Sequence, residues 1–163
     1  MTDFLLGLMM GSPENVVPTT TISVVIVGML VLAALDVWRR EVEDYATAAL
    51  FGIAVVGAGL EGVHPQQWVG ALLAAGIAFT VYLGLGRRGI MGGGDVKLSI
   101  VPAFVLGLSN PIIGLWWIAC AIVLHQTFFA VNTRLRKAPL ALPHVPAMAL
   151  ATLVASIAFP VHI

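Results

Sequence analysis

Between Lys97 and Arg134 no residue carries a formal charge. As one α-helix, residues 98–133 would extend roughly 54 Å at 1.5 Å per residue, far beyond the ~30 Å hydrocarbon core of a bilayer. Ser109-Asn110-Pro111, near the middle of the run, is a turn signal that divides it. The stretch therefore reads as two apolar helices joined back to back. The rest of the chain repeats the pattern, because residues 15–35, 45–60 and 62–86 are also uncharged. Only 10% of the 163 residues are charged and 60% are hydrophobic, whereas a soluble domain carries about 25% charged residues. Too few charges remain to cover a water-facing surface, so the expected fold class is an all-α, polytopic membrane protein forming a single domain over 1–163.

Six spans follow: Thr19–Leu35, 45–60, Trp68–Gly86, Val96–Leu108, Ile112–Val131 and Val145–Phe159. Alternating them across the bilayer puts the loops after spans one, three and five on one side. Those loops hold Arg39, Arg40, Arg87, Arg88, Lys97, Arg134, Arg136 and Lys137, which are all eight basic residues. Chance would place all eight on one given side about 1 time in 256, so the positive-inside rule makes that side cytoplasmic and both termini outside. Met1-Thr2-Asp3-Phe4 lacks a basic n-region, so no removable signal peptide is expected. Basic and acidic residues cancel at eight each, which argues against a nucleic-acid partner. The lone Cys120 allows neither an internal disulfide nor a multi-cysteine zinc site. No metal or cofactor is expected.

Two carboxylates stand out on the cytoplasmic side. Asp36 closes span one, and Asp95 follows Gly92, Gly93 and Gly94. Acids at membrane depth are costly and default to a functional role. The triple glycine suggests a sharply bent loop lying against another backbone. The thirteen residues of Val96–Leu108 reach only about 20 Å, so Asp95 is expected at or just below the interface. Two facing aspartates are the chemistry of a protease: one ionised to activate water, one protonated to polarise a carbonyl. A plainer alternative is that Asp36 merely ends a helix and Asp95 caps one, since Asp is a favoured cap.

The segment Gly92-Gly93-Gly94-Asp95-Val96-Lys97-Leu98 resembles the GxGD signature of intramembrane aspartic proteases, and more closely that of type IV prepilin peptidases and their archaeal preflagellin relatives. Asp36-Val37-Trp38-Arg39-Arg40-Glu41-Val42 is similar to the family's other signature, an Asp followed by arginines. Glu43 and Asp44 stand where the family usually has Pro and Asn. Pro143-His144-Val145-Pro146 resembles its C-terminal proline motif. The resemblance implies that Asp36 and Asp95 are the catalytic pair, with Gly92, Gly93, Gly94 and Lys97 supporting the loop. It implies a prepilin or prepilin-like substrate, cleaved at the cytoplasmic face of the cell membrane just ahead of a hydrophobic helix. Long members add a cysteine-rich segment and N-terminal methylation. Without those cysteines the chain looks like the short form of tight-adherence (Flp-type) pilus systems.

Smaller expectations complete the reading. Glu41, Glu43 and Asp44 cluster after Asp36 and are candidates to hold the substrate's basic leader, or to balance Arg39 and Arg40 in solvent. Lys97 either neutralises the pair or snorkels to the interface. His125, beside Gln126 and Thr127, is expected in a helix–helix hydrogen bond. Glu61 and His64 are expected in a solvated outer turn, and the small residues of Gly52–Gly59 and Gly70–Gly76 in close helix packing. A proton-coupled carrier would need polar groups continuing to the outer face. A structural subunit would tolerate Asp-to-Asn changes. A presenilin-type protease would carry its first aspartate mid-chain after a Tyr, whereas Asp36 follows Leu35.

Overall fold

In the computed structural model, residues 16–39, 43–136 and 143–158 are described. They form helices α1 (Thr19–Arg39), α2 (Asp44–Leu60), α3 (Pro65–Arg87), α4 (Gly93–Leu98), α5 (Ile100–Ser109), α6 (Pro111–Arg136) and α7 (Val145–Ala158), with no strand among the described residues. Three of them, α1, α3 and α6, are long and apolar enough to cross a membrane, and α2 and α7 are shorter apolar helices.

Residue size sorts the surfaces. The buried faces of α2 and α3 are mostly small, with Ala54, Ala58, Ala71, Ala74, Ala75 and Ala78 outnumbering Leu50 and Tyr82. Their exposed faces carry Ile53, Val56, Leu60, Leu72, Leu73 and Ile77. A water-soluble bundle would do the reverse, while in lipid small residues let backbones approach and large apolar ones meet acyl chains. Close approach is literal at two glycines. A Cβ on Gly107 would lie 2.9 Å from Cα of Ala71, and one on Gly114 would lie 2.8 Å from the Ala103 carbonyl oxygen. The expected glycine packing is thus partial. Gly57 packs on Thr21 and Gly70 on Pro111, but Gly52, Gly59 and Gly76 face open space.

Helix α5 is the hub. Every residue from Val101 to Leu108 is buried, and the helix packs against all six others. A helix apolar all round belongs in such a position. It is separated from α4 at Ser99, where Pro102 has no N–H to offer the Leu98 carbonyl. The helical run that carries Asp95 therefore begins at Gly93, not Val96, and is longer than the sequence suggested. The Ser109-Asn110-Pro111 break falls as expected. Asn110 Oδ1 accepts the Ile112 N–H at 2.8 Å, and Pro111 opens α6.

The turn between α2 and α3 differs from expectation. Glu61 is not simply solvated: its carboxylate accepts the backbone N–H groups of Thr20 (3.3 Å) and Thr21 (2.7 Å), and the Thr21 hydroxyl. It thereby satisfies donors that the first turn of α1 leaves over and meets the positive end of that helix. Gln67, just ahead of the expected third span, is buried in the first turn of α3 and donates to the carbonyls of Val16 and Leu108. The triple glycine also behaves differently. Gly92 has φ −73°, and the positive φ near this site is at Gly89, +70°.

Candidate active site

Five helix ends meet at one end of the bundle, tied by contacts between them. The last turn of α1 brings Asp36, which is buried. Its Oδ2 accepts the N–H of Val145, the first residue of α7, at 3.2 Å. This N–H is a leftover of helix geometry. His144 supplies the carbonyl that closes the first turn, taking Ala147 N–H at 3.0 Å and Met148 N–H at 3.2 Å. Pro146 has no N–H to give. Asp36 satisfies the donor that remains, at the positive end of a helix, where a carboxylate is favoured.

Asp95 lies in the first turn of α4 and is half-buried. Its Oδ2 accepts the Gly92 N–H at 3.1 Å. A Cβ on Gly92 would come within 3.3 Å of that same oxygen, so a larger residue would make the carboxylate shift by a few tenths of an ångström. Close packing continues behind it, where Gly86 at the end of α3 leaves room for Val96. The carboxyls of Asp36 and Asp95 are within electrostatic reach of each other. Each accepts a backbone N–H at a helix N-terminus, Asp36 from Val145 and Asp95 from Gly92.

The neighbouring candidates fare differently. The Lys97 ammonium is paired with Asp44 at the start of α2, and both side chains are largely exposed. Lys97 thus ties α4 to α2. Glu43 lies 3.8 Å from Arg39, four residues back on the same stretch. Glu41 falls outside the described residues. Gly93 is exposed with open space around it, and Gly94 is half-buried in the first turn of α4. His125 is in ring contact with His144, centroids 4.4 Å apart. The expected hydrogen bond is not made by its Nδ1, which has no partner among the described residues. Cys120 is a half-buried free thiol, as a packing residue would be.

Behind the acids is a polar cluster that sequence reasoning missed. Tyr82, fully buried on α3, has its hydroxyl 3.1 Å from Nε2 of His144. Its ring stacks on Trp117 of α6, at 6.1 Å and 16°. The Trp117 indole N–H lies 3.0 Å from the Thr152 hydroxyl and 3.3 Å from the Met148 carbonyl, both on α7. The only sequence signal was the proline pair around His144, which marks a helix start but names no partner for the imidazole.

The type IV leader peptidase family model matches residues 23–132, which include both acids and the triple glycine. The chain belongs to the type IV leader peptidase family. At that level it is a membrane peptidase of the aspartic kind, and the alternatives of a carrier or a purely structural subunit lose their footing. No curated protein and no solved structure matches the chain. Among the described residues no group of three or more His, Cys, Asp or Glu side chains gathers to hold a metal ion.

Proposed function

We propose that this leader peptidase removes the basic leader of Flp-type prepilins at the cytoplasmic face of the cell membrane, with Asp36 and Asp95 as its catalytic pair. The supporting observation is that these two carboxyls, far apart in sequence, lie within electrostatic reach of each other, one at the end of α1 and one at the start of α4. In this reading the two acids work as a pair that shares one proton, as like charges a few Å apart do. The ionised member takes a proton from water, and the resulting hydroxide adds to the scissile carbonyl. The protonated member donates to that carbonyl oxygen, and the proton just taken up goes on to the leaving amine. Six spans with both termini outside put this end in the cytoplasm, because all eight basic residues then face inward. Gly92, Gly93, Gly94 and Lys97 support the Asp95 turn, the last by its ion pair to Asp44. Glu41, Glu43 and Asp44 attract the leader, with part of their charge already spent on Arg39 and Lys97.

Co-expression with a candidate Flp-type prepilin, in a host lacking other such peptidases, tests the proposal. Leader removal, read as a mass loss equal to the leader, is the expected result. Intact prepilin beside correctly inserted enzyme contradicts it.

A further inference from the structure

We propose that Tyr82 and His144 form a clamp that positions Asp36 for catalysis, by fixing the N-terminus of α7 whose peptide N–H holds the carboxylate. The inference rests on the assignment of Asp36 and Asp95 as the catalytic pair. Asp36 Oδ2 is held by Val145 N–H at 3.2 Å. The position of that N–H depends on where α7 begins, and α7 begins at His144, whose carbonyl closes the first turn. A chain start is ordinarily the loosest part of a helix, because it lacks intrahelical bonds on its N-terminal side. Here it is pinned by a buried side chain. The His144 imidazole is 3% exposed and is bonded through Nε2 to the Tyr82 hydroxyl.

Tyr82 is itself held on every side by packing. It is 0% exposed, lies on the long helix α3, and stacks on Trp117, which is bonded to α7 one and two turns further on. Two ties therefore fix α7 in both height and rotation, one at His144 and one at Thr152. Tyr82 also lies within electrostatic reach of Asp95, so the clamp stands behind both acids. A hydrogen-bonded pair serving only stability needs no place adjacent to the residue that orients a catalytic group. A 1 Å error in such a group costs far more rate than binding.

Positioning is distinguished from bulk stability by kinetics. Tyr82→Phe removes one oxygen and keeps the stack on Trp117. Removing the imidazole with His144→Leu breaks the same bond from the other side. The double variant replaces both polar partners with apolar groups, which restores much of the stability that an unpaired buried partner costs. On a prepilin substrate, Tyr82→Phe should lower kcat about tenfold, the worth of a typical buried hydrogen bond, with KM within about twofold. The double variant should be no slower than the slower single, although its Tm is at least as high. A Tyr82→Phe kcat within about twofold of wild type overturns the clamp. So does a double whose loss is the product of the two singles, or a kcat loss that tracks Tm across the three variants. Asp36→Asn, measured in parallel, separates the levels. If it is inactive while Tyr82→Phe is fast, only the clamp fails. If it still cleaves, the catalytic assignment fails and the clamp with it.

Discussion

The Val145 peptide N–H donates to Asp36 Oδ2 at 3.2 Å, joining the last turn of α1 to the first turn of α7. The two residues are buried and distant in sequence, and their contact turns a helix start into part of the candidate site. An acid that merely ended a helix in solvent would have no reason to be drawn under another helix's N-terminus.

Both carboxyls acting as one unit has a consequence for pH. With both protonated there is no base, and with both ionised there is no acid. The rate is expected to fall as pH drops through the lower of two apparent values and as it rises through the upper. A kcat/KM profile with two limbs, each limited by one proton, supports the shared-proton pair. A profile with a single limb across the accessible range contradicts it.

The acidic loop should act on binding rather than chemistry. Replacing Glu41, Glu43 and Asp44 together with amides is expected to raise KM for a basic leader and spare kcat. Exposed pairs are worth about 0–1 kcal/mol each, and screening shortens to about 3 Å at 1 M salt, so the penalty should shrink as salt rises. Asp44 holds Lys97 at 2.5 Å, more closely than Glu43 holds Arg39 at 3.8 Å, so Glu43→Gln alone should carry more of the effect than Asp44→Asn alone. An unchanged KM at low salt removes the leader-binding role.

Packing at the hub makes a prediction about stability. At Gly114 an added Cβ meets the Ala103 carbonyl oxygen at 2.8 Å, and at Gly107 it meets Ala71 Cα at 2.9 Å. Neither neighbour is a flexible side-chain tip, so α5 must part from α6 or from α3. Gly114→Val and Gly107→Val should each destabilise by about 1–3 kcal/mol, read as a lowered Tm in detergent. Gly76→Ala, at an open position on α3, should leave Tm unchanged or slightly raised. Equal behaviour of the three would refute the close-packing account.

The helices and the membrane class were legible, and the two acids could be proposed, because each is written locally. A charge-free run, a basic cluster and a Gly-Gly-Gly-Asp string need no knowledge of distant residues. The ties that hold the site were not legible, because each joins positions far apart: Tyr82 to His144, Glu61 to Thr21, Gln67 to Leu108. Polar groups inside an apolar bundle choose partners by three-dimensional proximity, and one sequence does not record that. The glycine run misled for a related reason. Glycine permits positive φ, but it serves equally where a side chain would crowd a neighbour. At Gly92 the second use applies, since φ is ordinary and the Asp95 carboxylate sits 3.3 Å from where a Cβ would be.

The central claim is that Asp36 and Asp95 carry out peptide hydrolysis together, and cleavage by single Asn variants tests it most directly. Each variant keeps nearly the shape of the side chain and removes its ability to ionise. Purified Asp36→Asn, Asp95→Asn and the double variant are compared with wild type on one prepilin, with Tm showing that each is folded. Each single variant is expected to lose at least about a thousandfold in kcat, and the double is expected to be no worse than either single. Folded Asp36→Asn or Asp95→Asn enzyme that still removes the leader within about tenfold of the wild-type rate would contradict the account.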